Sequence, residues 1–259
     1  MRLARTWAAL GAMASRKGVA LFAGLALLTA TGCSPTPAEP PPASRAIGLV
    51  TTLPLLWAES GDIRGQLRDG PSHWAQAVLA KHGRIVPLDS LAGPDGRLPL
   101  AMDAILVLAQ PRPLTPQENV ALDDWVRGGG RVLLFADPLL TAHSRFSLGD
   151  PRRPQDVVLL SPILGRWGLE LQFDDSQQPG ERIESIRGAS LPVDLPGSFR
   201  SDGGCTLENA GILAECAVGR GRVLAVADAA LLDSGEAGAS SEIREKALDA
   251  LLERLSGLR

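Results

Sequence analysis

The sequence predicts an α/β domain: a mostly parallel, open sheet flanked by helices, finished by a β-hairpin and a C-terminal helix. Three observations carry this. Residues 104–109 are a continuous apolar run of strand length, and 131–136 and 221–227 are apolar but for Arg131 and Arg222, as expected of strands covered on both faces. A capped amphipathic helix lies between the first two runs, and a strand–helix–strand order calls for a parallel crossover. Late in the chain, Cys205 and Cys216 bracket a strand–turn–strand pattern with Asn209, Ala210 and Gly211 at its turn.

Taken in order, residues 46–53 form an apolar, β-branched first strand. Residues 72–82 have helical spacing in Trp74, Ala77 and Val78, with Ser72 as the expected N-cap after Pro71. Residues 84–88 make a short strand that Pro87 confines to an edge. After the strand at 104–109, Thr115, Pro116 and Glu118 spell a capping box, and Leu122, Trp125 and Val126 supply one apolar face. Three glycines, 128–130, stop that helix before the strand at 131–136. Ser161 and Pro162 are expected to cap a short helix through Trp167, followed by a strand at 169–173. Residues 174–204 read as loops and short strands. A helix over 241–258 closes the chain, with Ile243, Ala247, Leu248, Leu251, Leu252 and Leu255 on its apolar face.

The N-terminus has a different character. Arg16 and Lys17 precede an apolar stretch at 18–31, and Gly32–Cys33 ends it, as in a secretory signal whose cleavage exposes a lipidated cysteine. Ala30 departs from the commoner leucine of such a site, and either Met1 or Met13 serves as a start. An uncleaved signal anchor with an incidental cysteine is the competing reading; both take the remainder out of the cytoplasm. Five prolines within 34–44 favour an extended spacer of roughly 35 Å at ~3.1 Å per residue. The expected organisation is therefore a signal peptide at 1–32, lipidated Cys33 and tether at 33–45, and one α/β domain at 46–259. Removing residues 1–32 leaves 22 basic against 29 acidic groups, a net charge of −7. So acidic a surface repels nucleic acid. In an oxidising compartment the leftover pair Cys205 and Cys216 is expected to form a disulfide.

Few residues carry obvious chemistry. The segments 130–137 and 221–228 echo each other, each opening Gly-Arg-Val-Leu and ending in Asp. Asp137 and Asp228 are thus each expected at the carboxyl end of a strand in the central sheet, the edge where ligands of open α/β sheets gather. They could hold a metal or polar ligand, or simply cap the turns that follow. His73, His82 and His143 show no metal-ligand spacing, and no nucleophile motif occurs. The expectation is therefore a non-enzyme without metal or cofactor. Trp57, just after the first strand, is a candidate for a ligand or partner edge, with core packing as its alternative.

Residues 106–138 resemble the gliding-motility auxiliary component of uncharacterised ABC-type transport systems. That family's pattern is an apolar strand, a Pro-Leu-Thr/Ser-x-x-Glu helix start and Gly-Gly-Arg-Val-Leu-x-x-x-Asp-Pro, matched here by residues 113–118 and 129–138. Residues 161–171 and 219–228 are similar to two later segments, so the resemblance spans about 46–235. It implies a flavodoxin-like, class I glutamine amidotransferase-like fold without the catalytic cysteine. The family sits beside permease segments in a larger membrane protein, whereas this chain has a lipidated N-terminus. The combined expectation is an accessory or recognition lipoprotein on the periplasmic side of the bacterial envelope, held to the membrane by Cys33. Its partners would be an ABC permease and ATPase or another envelope protein. The alternatives are an envelope hydrolase or amidase using Asp137 and Asp228, and a periplasmic solute-binding lipoprotein.

Overall fold

The computed structural model describes residues 45–57, 59, 72–233 and 238–257. The signal segment, Cys33 and nearly all of the proline-rich tether lie outside these residues. The elements run β1 (Ala46–Thr51), α1 (Trp74–His82), β2 (Arg84–Pro87), β3 (Ile105–Ala109), α2 (Pro116–Arg127), β4 (Arg131–Phe135) and α3 (Ser161–Arg166). Then follow β5 (Leu169–Gln172), β6 (Arg182–Ile186), β7 (Ala189–Val193), β8 (Ser198–Ser201), β9 (Cys205–Glu208), β10 (Leu213–Val218), β11 (Gly221–Val226) and α4 (Ser241–Gly257).

One seven-stranded sheet, ordered β2-β1-β3-β4-β11-β10-β9, organises the domain. Its first five strands are parallel; β10 and β9 complete it antiparallel. The order places α1 and α2 on opposite faces. The chain moves outward one way from β1 to β2 and the other way from β3 to β4, so right-handed crossovers fall on opposite sides. Period-two alternation then divides the core. Ile105, Val107, Leu133, Phe135, Leu224 and Val226 pack on one face against Val78 and Leu79 of α1 and the leucines of α4. Leu106, Leu108, Val132, Leu134 and Val223 face Leu122, Trp125 and Val126 of α2 and Ile163 and Leu164 of α3. Both faces are buried, which is why the strands are apolar apart from Arg131 and Arg222 near their starts.

The capping box of α2 forms as the sequence predicts. Thr115 Oγ1 accepts from the Glu118 amide at 3.2 Å, and Glu118 Oε2 accepts from the Thr115 amide at 2.9 Å. Gly130 is required beside it, because a Cβ there would meet the Trp125 ring at 2.2 Å. Cys205 and Cys216 are direct cross-strand partners on β9 and β10 and are joined by a disulfide. The turn between the strands is a 3₁₀ turn at Asn209–Gly211.

Two caps differ from expectation. His73, not Ser72, caps α1: its Nδ1 accepts from the Ala75 amide at 3.1 Å, while Ser72 lies exposed one residue outside. Ser161 is the first residue of α3 rather than its cap. Leu160 before it is 2% exposed and stands at the N-cap without a side-chain hydrogen bond. The loosely assigned region 174–204 resolves into the β6–β7 hairpin and β8, which pairs with β5 in a second small sheet.

Candidate functional site

The echoing segments lie side by side. Arg222 to Val226 of β11 pair in parallel register with Arg131 to Phe135 of β4, one echo residue against its counterpart. Asp137 and Asp228 therefore emerge together at the carboxyl edge of the sheet, both essentially inaccessible to solvent. Their oxygens are engaged. Asp137 Oδ1 accepts from the Leu139 amide at 2.8 Å and Oδ2 from the Ala229 amide at 3.2 Å. Asp228 Oδ1 accepts from the Ala230 amide at 2.5 Å and Oδ2 from the Asp194 amide at 3.0 Å. Each aspartate caps its own turn and also ties a second segment down.

Burial pushes the Asp137 carboxyl up to about 6, against the lowering pull of its two amide donors. Asp228 is raised well above the ordinary carboxylate range, first by burial and then by the neighbouring charge of Asp137. Two carboxyl groups in one dry site cannot both ionise cheaply. Both carboxyls thus hold their protons more tightly than exposed acids do, but no oxygen is left without a donor.

Gln110 extends this network and was not singled out by the sequence. It ends β3 with a left-handed φ of 46° and is fully buried. Its Oε1 accepts from the Asp137 amide at 2.9 Å, and its Nε2 donates to the carbonyls of Asp137 (3.1 Å) and Gln155 (2.9 Å). A left-handed φ costs a non-glycine residue about 1–2 kcal/mol, which these bonds offset. Its one sequence signal was a polar residue closing an apolar run immediately before a proline. Across β3, β4 and β11 the carboxyl edge is thus closed by backbone-directed hydrogen bonds.

The β1 and β2 side of that edge is open. A cleft of about 230 Å³ there is lined by Thr51 and Thr52, by Trp57 and Glu59, by Asp89 after β2, and by Phe146 and Arg152 from the long β4–α3 connection. It adjoins the reversal of strand order, between β1 and β3, where doubly wound sheets bind ligands. Trp57 is 67% exposed, so core packing is not its role. Arg152 lies 4.2 Å from the Phe146 ring centroid and pairs with Asp150 at 2.7 Å. Glu59 accepts from the Ser144 hydroxyl at 2.7 Å and the Arg145 amide at 2.8 Å. Neither Asp137 nor Asp228 lines this cleft.

Other polar groups hold the scaffold. Asp123, buried on α2, accepts from Arg127, Arg166 and Trp167 Nε1. Burial pushes its carboxyl up, but the two arginines outweigh that and hold it below its ordinary value. Arg112 and several further donors bring Glu118 down to about 2. Arg244, fully buried on α4, binds Glu181 and the Ala230 and Leu231 carbonyls, fastening the turn after Asp228. His73 is the α1 cap, with its pKa lowered chiefly by burial, and His82 pairs with Asp249 at 2.6 Å. Among the described residues no three His, Cys, Asp or Glu side chains converge as a metal site requires, and no helix is long and apolar enough to cross a membrane.

No family model and no curated protein matches the chain. Among solved structures, an exo-β-1,4-mannosidase from Opitutaceae bacterium strain TAV5 is similar over 83% of this chain and 36% of its own, at 15% identity and a TM-score of 0.51. A cytoplasmic protein from Salmonella typhimurium LT2 is similar over 82% of this chain and 99% of its own, at 10% identity and a TM-score of 0.46. A ThuA-like protein from Bacteroides uniformis covers 85% and 95%, at 9% identity and a TM-score of 0.40. The chain spans little more than a third of the mannosidase's length, and at this identity the likeness is one of fold.

The expectation of a non-enzyme is corrected by this comparison. It rested on missing nucleophile and metal motifs, yet this domain's fold occurs within a glycosidase, so their absence excludes nothing. The physical reason is also visible in the chain: polar groups such as Gln110 and Asp137 are gathered from separate strands, so a site assembled in space needs no contiguous motif.

Proposed function

We propose that the chain is a lipid-anchored envelope component that recognises a ligand for an ABC-type transport or envelope system. The recognition site is the cleft at the carboxyl ends of β1 and β2. One observation carries the reading: an exposed tryptophan in an open cleft, beside a carboxyl edge otherwise closed by Gln110, Asp137 and Asp228. The parallel strand order, second-first-third-fourth-fifth, supports a finer assignment as flavodoxin-like and class I glutamine amidotransferase-like. Both described cysteines are tied in the disulfide, so neither serves as the nucleophile of that fold. The signal, Cys33 and the tether support placement on the periplasmic side of a membrane.

The test is crosslinked affinity purification of the tagged full-length protein from membranes. A permease and an ATPase should be recovered with it, and lost with Cys33→Ser. Recovery of neither, with lipidation intact, overturns the transporter assignment in favour of a stand-alone solute-binding lipoprotein. The alternative of a hydrolase acting through Asp137 and Asp228 has their raised pKa values in its favour. The geometry opposes it, because all four oxygens already accept backbone amides.

A further inference from the structure

We propose that the cleft takes a neutral, polyhydroxylated ring, a sugar stacked on the indole of Trp57. This rests on the reading that the cleft is the recognition site, and adds the chemistry of its ligand.

The first argument is Trp57 itself. Trp125 and Trp167 are each 4% exposed, and Trp74 is half-buried, whereas Trp57 is 67% exposed and borders a cavity. Its large apolar face is held in water, at a site where a ligand with one apolar face would cover it. A pyranose ring offers a face of C–H groups, with hydroxyls around its rim.

The second argument is charge. An anionic ligand needs an uncommitted cation, and the cleft's Arg152 already pairs with Asp150 and stacks on Phe146. A cationic ligand needs an uncompensated carboxylate. Glu59 is engaged by Ser144 and Arg145, whose guanidinium also donates to the Glu59 carbonyl at 3.0 Å. The Arg112 guanidinium, which pairs with Glu118, also donates to the Asp89 backbone carbonyl at 2.8 Å. Each acid thus has an arginine beside it, bonded to its backbone carbonyl, so neither carboxylate stands apart from positive charge. That combination selects hydroxyls over charges, since a buried ion without a counter-ion is costly. The third argument is size: about 230 Å³ admits one or two rings rather than a polymer segment along its length.

The experiment uses the full-length protein in detergent. Tryptophan emission and equilibrium dialysis are followed during titration with glucose, galactose, mannose and short oligosaccharides of each. Choline and inorganic phosphate serve as charged probes. The expected result is saturable sugar binding that blue-shifts the emission, with affinity falling roughly ten-fold or more by dialysis in Trp57→Ala. Trp57 is exposed, so this variant should fold; unchanged thermal unfolding checks that. Weaker binding of oligosaccharides than of monosaccharides would identify a free sugar, and equal or tighter binding the end of a glycan. Tighter binding of choline or phosphate, abolished by Trp57→Ala, overturns the sugar assignment but leaves the cleft as the recognition site. Binding of no probe, together with partner recovery unaffected by Trp57→Ala, overturns both.

Discussion

Asp137 makes the protein more stable on mild acidification, and the size of the effect follows from its burial. Its folded pKa, about 6, stands above the ordinary 3.8. For an acid with a raised folded pKa, the contribution is complete below the unfolded value and is lost as pH rises through the folded one. The full difference corresponds to about 3 kcal/mol, of which roughly half is gained between pH 7.5 and pH 5. In a domain of this size that raises the melting temperature by roughly 3–5 °C. Asp228 acts in the same direction, while Glu118 acts oppositely and only in stronger acid, because its pKa is lowered to about 2. The perturbation that isolates Asp137 is Asp137→Asn. The amide keeps one acceptor for Leu139 or Ala229 and turns a donor toward the other, a loss of about 1–3 kcal/mol. Relief of the buried charge offsets that loss at neutral pH, so the diagnostic quantity is the slope. Melting temperatures measured from pH 7.5 to 5 should rise less steeply in the variant than in the wild type. Identical slopes would refute the assignment of a raised pKa to this carboxyl.

Two further predictions concern local structure. Thr115→Ala removes the acceptor for the Glu118 amide and should cost about 1 kcal/mol, read as a lower urea midpoint with unchanged slope. Reducing the Cys205–Cys216 disulfide, or replacing both cysteines with serine, frees a short loop of sequence separation 11 and should cost roughly 2–3 kcal/mol. A reductant-insensitive midpoint would show that the hairpin holds without its crosslink.

Local regularities were readable in the chain because they depend on neighbours. The α2 capping box needs only residues 115–118, and the cross-strand cysteines need only a turn of known type between them. The apolar runs of β3, β4 and β11 announced strands buried on both faces, and the echo of 130–137 in 221–228 foretold two similar strands. The caps expected at Ser72 and Ser161 differ for a local reason as well. Serine is the commoner cap residue, so the sequence favours it over the adjacent His73, and nothing in the sequence shows that Leu160 would be drawn into the core.

The sequence by itself determined most strand and helix segments, their apolar faces and the disulfide partners. Each rests on spacing along the chain. The tertiary structure alone decided that the echoing strands are adjacent and in register, so that two distant aspartates share one dry site and the charge of Asp137 adds to the cost of ionising Asp228. It also decided the roles of Gln110 and Arg244, whose bonds run to backbone groups far away in sequence. The cleft belongs to the same class. Residues 51–59, 87–89 and 146–152 have no common pattern, and only the order of strands in the sheet gathers them around Trp57.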